Sequence, residues 1–143
     1  MDVGAVRVGV AKCDADGLLA IPVATLNREF ALDDLLQMVV VEGAFEVYVG
    51  HPIGLDGRPG RAAAAALAFG TELASGLAGV PVRLIDERLT TVSAGRELRE
   101  AGRSTRDSRG VIDQAAAVVI LEHALTLEGS TGRPPGTLVG EAS

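Results

Sequence analysis

The stretch MDVGAVRVGVAKC (residues 1–13) carries the first indication of the fold. Val6, Val8 and Val10 recur at every second position, which is typical of a strand with one buried face. The turn sequence DADG (14–17) follows, and residues 19–25 can return as another strand. Residues 1–25 are therefore predicted to form an antiparallel meander of three strands. Asp2 places a carboxylate at the edge of this apolar sheet, where packing alone does not require one.

Helical and strand patterns alternate in the rest of the chain. Apolar residues at helical spacing from Leu32 to Val40 predict a helix that ends at Gly43. Further strands are predicted over 46–50 and 80–86, a polar loop over 102–110, and helices over about 59–77, from Thr90 or Thr91 to Ala101, and over 112–127. This order predicts an α/β protein whose later strands are parallel and covered by helices. Residues 1–127 would form its single domain, followed by a disordered tail over 128–143.

Composition narrows the possible functions. The longest apolar run, 62–69, is far shorter than the roughly 18 residues of a membrane span, and no signal-peptide pattern begins the chain, so we expect a cytoplasmic protein with no membrane partner. The single Cys13 excludes an internal disulfide and a multi-cysteine zinc site. A net charge of −6 argues against binding nucleic acid by bulk attraction. Residues 96–109 nevertheless form a locally basic segment with five arginines.

Three acidic residues, Asp2, Glu87 and Asp113, each interrupt an apolar or strand-like context at the end of a predicted element. If the fold brings them together, their mutual repulsion calls for a counter-charge, and Mg²⁺ or Mn²⁺ with oxygen ligands would supply it. Such ions can activate water and stabilise the leaving oxygen of a phosphodiester. Each residue also has a structural interpretation. Asp2 could be a frayed terminal residue, Glu87 a solvated strand-end charge paired with Arg88 or Arg83, and Asp113 a dipole partner in the first turn of its helix.

Five stretches of the chain, in order and spacing, resemble the motifs of the YqgF family, also called RuvX. They are DVGAVRVGVA (2–11), AIPVATL (20–26), VGHPIGLDGRPG (49–60), DERLTTVSA (86–94) and IDQAAAVVIL (112–121). The resemblance extends from residue 2 to about residue 127, and its most specific segments are DERLTT and IDQAA. The family is related to the RuvC Holliday junction resolvases and is described as nucleases of the 16S rRNA precursor.

The resemblance implies a ribonuclease-H-like fold, a five-stranded mixed sheet flanked by helices. By motif position, it implies that Asp2, Glu87 and Asp113 are the catalytic carboxylates and bind Mg²⁺ or Mn²⁺. Asp86 would lie on the other face of its strand, in a structural role. Members of the family have several residues ahead of this Asp, whereas only Met1 precedes Asp2 here. We therefore expect either a true start further upstream or a shortened first strand that holds Asp2 less firmly. His51 replaces an apolar residue typical of the family, and it is either an aid to proton transfer or an incidental loop residue.

Several side chains around this site are candidates for binding substrate phosphates. They are Arg7, Arg88, Thr90, Arg103, Arg106 and Arg109. The alternative for the loop arginines is a solvated segment paired with Glu97, Glu100 and Asp107, and Thr90 could simply cap a helix.

The function expected from the resemblance is metal-dependent hydrolysis of nucleic acid, in 5′-end processing of pre-16S rRNA. The first alternative is a Holliday junction resolvase, which would need a dimer to cut symmetrically. A second alternative is a non-catalytic ribosome-assembly or nucleic-acid-binding factor, and a third is a phosphate-binding module of the actin and sugar-kinase type. The expected partner is RNA, or single-stranded or branched DNA, and the expected state is a monomer or weak homodimer.

Overall fold

The computed structural model describes residues 1–53, 57–89 and 106–141, without the side chains of 89 and 106–111. Six strands and three helices occur in these ranges. In chain order they are β1 (Asp2–Val3), β2 (Arg7–Cys13), β3 (Ala20–Asn27), α1 (Ala31–Glu42), β4 (Val47–His51), α2 (Arg61–Gly76), β5 (Val82–Asp86), α3 (Arg106–Thr131) and β6 (Thr137–Leu138). Short 3₁₀ turns follow β5 (Glu87–Leu89) and β6 (Val139–Glu141). The α/β class predicted from the sequence is confirmed.

The N-terminal meander forms as predicted. Strand β2 pairs antiparallel with both β1 and β3, and Asp2 lies opposite Gly9 in the first of these pairs. The turn between β2 and β3 is closed by the Asp14 carboxylate, which accepts hydrogen bonds from the backbone N–H groups of Leu18 and Leu19 at 2.7 and 3.2 Å. Gly17 adopts the left-handed conformation (φ 69°) that this turn requires.

The second sheet combines parallel and antiparallel pairing. Strands β4 and β5 run parallel, as predicted, and β6 pairs antiparallel with β5. The described strands thus form two three-stranded sheets, β1-β2-β3 and β4-β5-β6, and not the single five-stranded sheet that the resemblance implied. Two backbone hydrogen bonds link them, because the Met1 amino group donates to the Tyr48 carbonyl (2.7 Å) and the Gly50 N–H donates to the Met1 carbonyl (3.0 Å).

Helices α1 and α2 lie close to their predicted positions. Gly43 ends α1 in the left-handed conformation (φ 65°), as expected for a helix C-terminus. Helix α3 differs, since it begins at Arg106 and not at Ile112, so that residues 106–110 are helical where a loop was predicted. Gly110 suggested the end of a loop, but one glycine costs a helix only about 1 kcal/mol. No helix among the described residues is long and apolar enough to cross a membrane. The helix predicted to start at Thr90 or Thr91 lies outside the described residues.

The strands separate two packing layers. Alternating residues of β2, β4 and β5, such as Val8, Val49 and Leu84, form the main core with α1 and α2. Helix α3 packs on the opposite face, where Ile85 of β5 meets Ala116, Ile120 and Ala124. Small alanines let this helix approach the sheet closely, in keeping with the scarcity of aromatic residues in the sequence.

The C-terminal segment differs from the disordered tail that its composition suggested. Residues 128–131 continue α3, Thr137 and Leu138 pair with β5, and Val139 is buried in the main core at 5% exposure. Val139 approaches Gly70 of α2, where an added Cβ would lie 3.3 Å from its methyl group. Thr137 and Leu138 are enough to pair with the edge of β5, and Val139 fills the space beside Gly70.

Candidate active site

The three acidic residues singled out in the sequence are all buried. Asp2 and Glu87 are each 1% exposed and Asp113 is 4% exposed, and they are the buried polar residues of the part of the chain that the structure describes. Asp2 is therefore not frayed and Glu87 is not a solvated strand-end charge. Asp113 is the eighth residue of α3, beyond the first turn where a helix dipole acts, so its predicted place in that turn is wrong.

Strand pairing places Asp2 on the side of the sheet that faces α3. Asp2 lies directly opposite Gly9, and residues directly opposite in an antiparallel pair project from the same face. At Gly9, a Cβ would overlap the backbone carbonyl of Asp113. Strand β2 thus touches the α3 backbone at Asp113, next to the position of Asp2. A glycine is needed at residue 9 because any side chain would push the helix away.

A second glycine marks the position of Glu87. A Cβ at Gly50 would overlap the Glu87 carboxylate and the end of the Ile120 side chain, so the carboxylate occupies the space above the β4 backbone. Gly50 is the residue whose N–H bonds to the Met1 carbonyl, immediately before Asp2. Asp2, on β1, and Glu87, in the turn that follows β5, therefore approach the β4 backbone near Gly50 from its two sides.

The Met1 amino group responds to both carboxylates. Burial lowers its pKa to about 6, and the nearby negative charges of Asp2 and Glu87 oppose this shift. Because both carboxylates affect the pKa of the same amino group, both lie near Met1, which agrees with the convergence of Asp2 and Glu87.

Arg7 pairs with the third carboxylate. Its Nε donates to Oδ2 of Asp113 at 2.8 Å, across 106 residues of sequence, and the side chains are 31% and 6% exposed. Arg7 precedes Gly9 by two residues on β2, so both project toward α3. The sequence suggested that Arg7 would meet substrate phosphates, but here its guanidinium meets a site carboxylate.

The chemistry of these donors fits a hard divalent cation, since three buried carboxylates offer oxygen ligands and excess negative charge. Their arrangement is not yet that of a metal centre. Among the described residues, no group of three or more His, Cys, Asp or Glu side chains is placed to hold a metal ion.

The other candidates for phosphate binding have different outcomes. Arg88 forms a two-pronged pair with Asp86, Nε and Nη2 donating to Oδ2 at 2.8 and 2.6 Å. Both side chains are more than one-third exposed. Burial raises the pKa of Asp86, but the hydrogen bonds and charge of Arg88 outweigh it, so the pKa is lowered. Arg106 and Arg109 start helix α3, although their side chains, like all of Thr90 and Arg103, lie outside the described residues.

His51 ends β4 and lies opposite Asp86 in the parallel pair. Because neighbouring residues of a strand alternate, His51 and Asp86 project away from the face that Gly50 shares with Glu87. Burial lowers the pKa of His51, while Asp86 and a hydrogen bond with the Ala63 backbone oppose this. The structure thus places His51 near the first turn of α2, on the other face from the three carboxylates.

Sequence reasoning missed two contributors to the site. The predicted strand over 46–50 gives Gly50 no role beyond ending it, although a glycine next to β-branched strand residues is itself a signal of close approach. Gln114, beside Asp113, donates from Nε2 to the Thr25 hydroxyl at 3.1 Å and so ties α3 to β3. Nothing in the spacing of these two residues could have revealed their contact.

Comparison with known proteins shows which family the chain belongs to. The family described as "RuvX: Holliday junction resolvase" matches residues 1–127. A relative from Thermobifida fusca is 52% identical over 147 residues, covering 97% of this chain and 92% of its own length. A Streptomyces coelicolor relative is 52% identical over 139 residues (95% and 83%), and one from Mycobacterium ulcerans is 51% identical over 125 residues (85% and 74%). All three carry the name "Putative pre-16S rRNA nuclease".

Proposed function

Because the chain belongs to the RuvX family of Holliday junction resolvases, we propose that it is a divalent-metal-dependent nuclease that hydrolyses phosphodiester bonds in pre-16S rRNA. The observation that supports this most is the burial of Asp2, Glu87 and Asp113 at one face of the sheet. Buried like charges are costly, and a face that brings three carboxylates together is suited to bind a ligand of opposite charge.

The proposed fold is ribonuclease-H-like. The two backbone hydrogen bonds of Met1 align β1 with β4, which would give the order β3-β2-β1-β4-β5 with β6 added at the edge. In this order Asp2 occupies the central strand, and Glu87 and Asp113 approach it from β5 and α3. The strand alternation that buries Val3 on one face directs Asp2 to the other.

Asp2, Glu87 and Asp113 would hold Mg²⁺ or Mn²⁺, whose oxygen-ligand preference their carboxylates meet. When bound, such ions activate water and stabilise the leaving oxygen of a phosphodiester. The chain itself orients the carboxylates through Gly9 and Gly50. Arg7, Arg88, Thr90, Arg106 and Arg109 remain the proposed phosphate contacts, with Arg7 and Arg88 leaving their present carboxylate partners to do so.

Resolution of Holliday junctions is the second candidate, because the matched family bears that description. It would require two copies of the chain to present two sites to one junction. Processing of ribosomal precursor RNA requires one site and would place the protein in the cytoplasm.

A cleavage assay separates these proposals. Wild type and the variants Asp2→Asn, Glu87→Gln and Asp113→Asn would be tested on single-stranded precursor RNA, duplex DNA and a four-way junction, with Mg²⁺ or Mn²⁺. Each variant should lose more than about 100-fold in rate, since even partners of metal ligands cost 10–100-fold. Glu42→Gln is the matched control, because Glu42 is an exposed acid paired with Lys12 at 3.0 Å, remote from the site.

The outcomes are distinct. Equal cleavage by all variants would refute the carboxylate mechanism, and symmetric cleavage of the junction alone would favour the resolvase. Binding of RNA by wild type without any cleavage would favour a non-catalytic factor.

A further inference from the structure

The contact between Arg7 and Asp113 gives the site a property that the family assignment does not contain. The guanidinium is 2.8 Å from an oxygen that the proposed metal would use, and it neutralises a carboxylate that is 6% exposed. A cation bound to the same carboxylate would face a fixed positive charge at short range. The two positive groups therefore compete for Asp113.

Arg7 occupies an oxygen of one of the three buried carboxylates, and no group of three metal-ligating side chains is placed to hold an ion among the described residues. Gly9 and Gly50 have already made room for the backbone and side chains of the site. At Asp113, Arg7 supplies the counter-charge that a metal would otherwise provide.

Arg7 is also placed to leave. Its side chain is 31% exposed, whereas that of Asp113 is 6% exposed, so the pair lies at the boundary between the site and solvent. A guanidinium binds phosphate oxygens with the same planar geometry that it uses for carboxylates. An incoming phosphodiester can thus take the place of Asp113 without leaving the arginine unpaired.

Resting on the proposed metal-dependent function, we propose that Arg7 couples the two binding events: it holds Asp113 when substrate is absent and transfers to a substrate phosphate, which frees Asp113 for the metal. Metal and phosphodiester then strengthen each other's binding. Such coupling is reciprocal, so each ligand raises the affinity of the other by the same factor. Arg7 is a positioning residue for Asp113 as well as a phosphate contact.

The test measures Mn²⁺ affinity by the electron paramagnetic resonance signal of free Mn²⁺. Wild type, Arg7→Gln, Arg7→Lys and Lys12→Gln are titrated with and without dimethyl phosphate, a stable phosphodiester monoanion, at matched ionic strength. Lys12→Gln is the matched control, because Lys12 lies on the same strand but pairs with the exposed Glu42. Arg7→Gln should bind Mn²⁺ about tenfold more tightly than wild type in the absence of phosphodiester, within the range typical of coupled sites.

Dimethyl phosphate should tighten Mn²⁺ binding to wild type and to Lys12→Gln but not to Arg7→Gln. Arg7→Lys keeps the charge without the planar fork, so it should still weaken metal binding and show reduced coupling. An arginine that only stabilised the fold would lower the melting temperature on removal without raising Mn²⁺ affinity. Melting curves with and without Mn²⁺ establish that each variant is folded and report the same affinity order.

Equal Mn²⁺ affinity in wild type and Arg7→Gln, or equal phosphodiester effects in both, would overturn the coupling and leave metal-dependent cleavage intact. Absence of Mn²⁺ binding to every variant would overturn the proposed function together with the coupling.

Discussion

The two faces of the same strands differ sharply in what they bury. Toward α1 and α2, β2 and β4 present Val8, Val10, Val47 and Val49, all buried in the main core. Toward α3, the sheet presents glycines and carboxylates, with Gly9 and Gly50 leaving space that Asp113 and Glu87 occupy. The face toward α1 and α2 stabilises the domain through apolar packing. The face toward α3 has less apolar packing and holds the carboxylates close together. The alternation of strand side chains lets one segment serve both purposes.

The largest loss of stability should come from the apolar face. Phe69 of α2 is fully buried, and the centroid of its ring lies 4.5 Å from the guanidinium carbon of Arg28. Phe69→Ala would remove a large core side chain and leave a cavity, at a cost of about 3–5 kcal/mol in the free energy of unfolding. Urea denaturation measures this loss. Asp2→Asn, on the opposite face, should leave stability unchanged or higher, because it removes one of three buried like charges. A larger loss from Asp2→Asn than from Phe69→Ala would contradict the division between the faces.

The next largest loss of stability is expected at Gly9, where β2 and α3 come closest together. Gly9→Ala would force its Cβ against the Asp113 carbonyl and displace the helix, at a cost of about 1–3 kcal/mol and with loss of nuclease activity. Gly129→Ala is the matched control, because Gly129 lies in α3 itself and an added Cβ there would meet nothing. This variant should stabilise α3 by up to about 1 kcal/mol. If both variants behave alike in denaturation and cleavage, the close approach at Gly9 does not matter.

A smaller effect is expected from the C-terminal segment. Val139 is 5% exposed in the core on the α1 and α2 side, so Val139→Ala should cost about 2 kcal/mol by loss of buried methyl groups. Thermal unfolding followed by circular dichroism measures it. The exposed neighbour Glu141 offers the control Glu141→Gln, which should change little. Unchanged unfolding of Val139→Ala would indicate that this segment does not contribute to the core.

The smallest effect concerns pH. Burial holds the pKa of His51 below its ordinary value of 6.5, so the unfolded chain binds a proton more readily than the folded one. The His51 contribution to stability is therefore full above pH 6.5 and is lost as pH falls toward the folded pKa. His51→Asn should flatten the pH dependence of the unfolding midpoint in that interval. A pH dependence that is identical in wild type and His51→Asn would contradict this.

Local patterns predicted the meander, the parallel pair and the end of α1 at Gly43. These features depend on the alternation of apolar side chains, on turn residues and on a left-handed glycine, each of which involves only a few neighbouring residues. The start of α3 and the role of Val139 were missed because tertiary packing overrode local signals from Gly110 and a polar tail. Their apolar contexts singled out Asp2, Glu87 and Asp113, and the resemblance implied their shared role as catalytic carboxylates. The pairing of Arg7 with Asp113 spans 106 residues, and no local pattern encodes it.

The contact between Gly9 and Asp113 also determines when the site can exist. A chain that is still being synthesised completes β1 and β2 early, but Asp113 and the rest of α3 emerge only after most of the domain has been made. Contacts so distant in sequence form late, since the intervening chain must be ordered first. Unfinished chains therefore lack the complete set of carboxylates, and nuclease activity would appear only once synthesis of the domain is nearly complete.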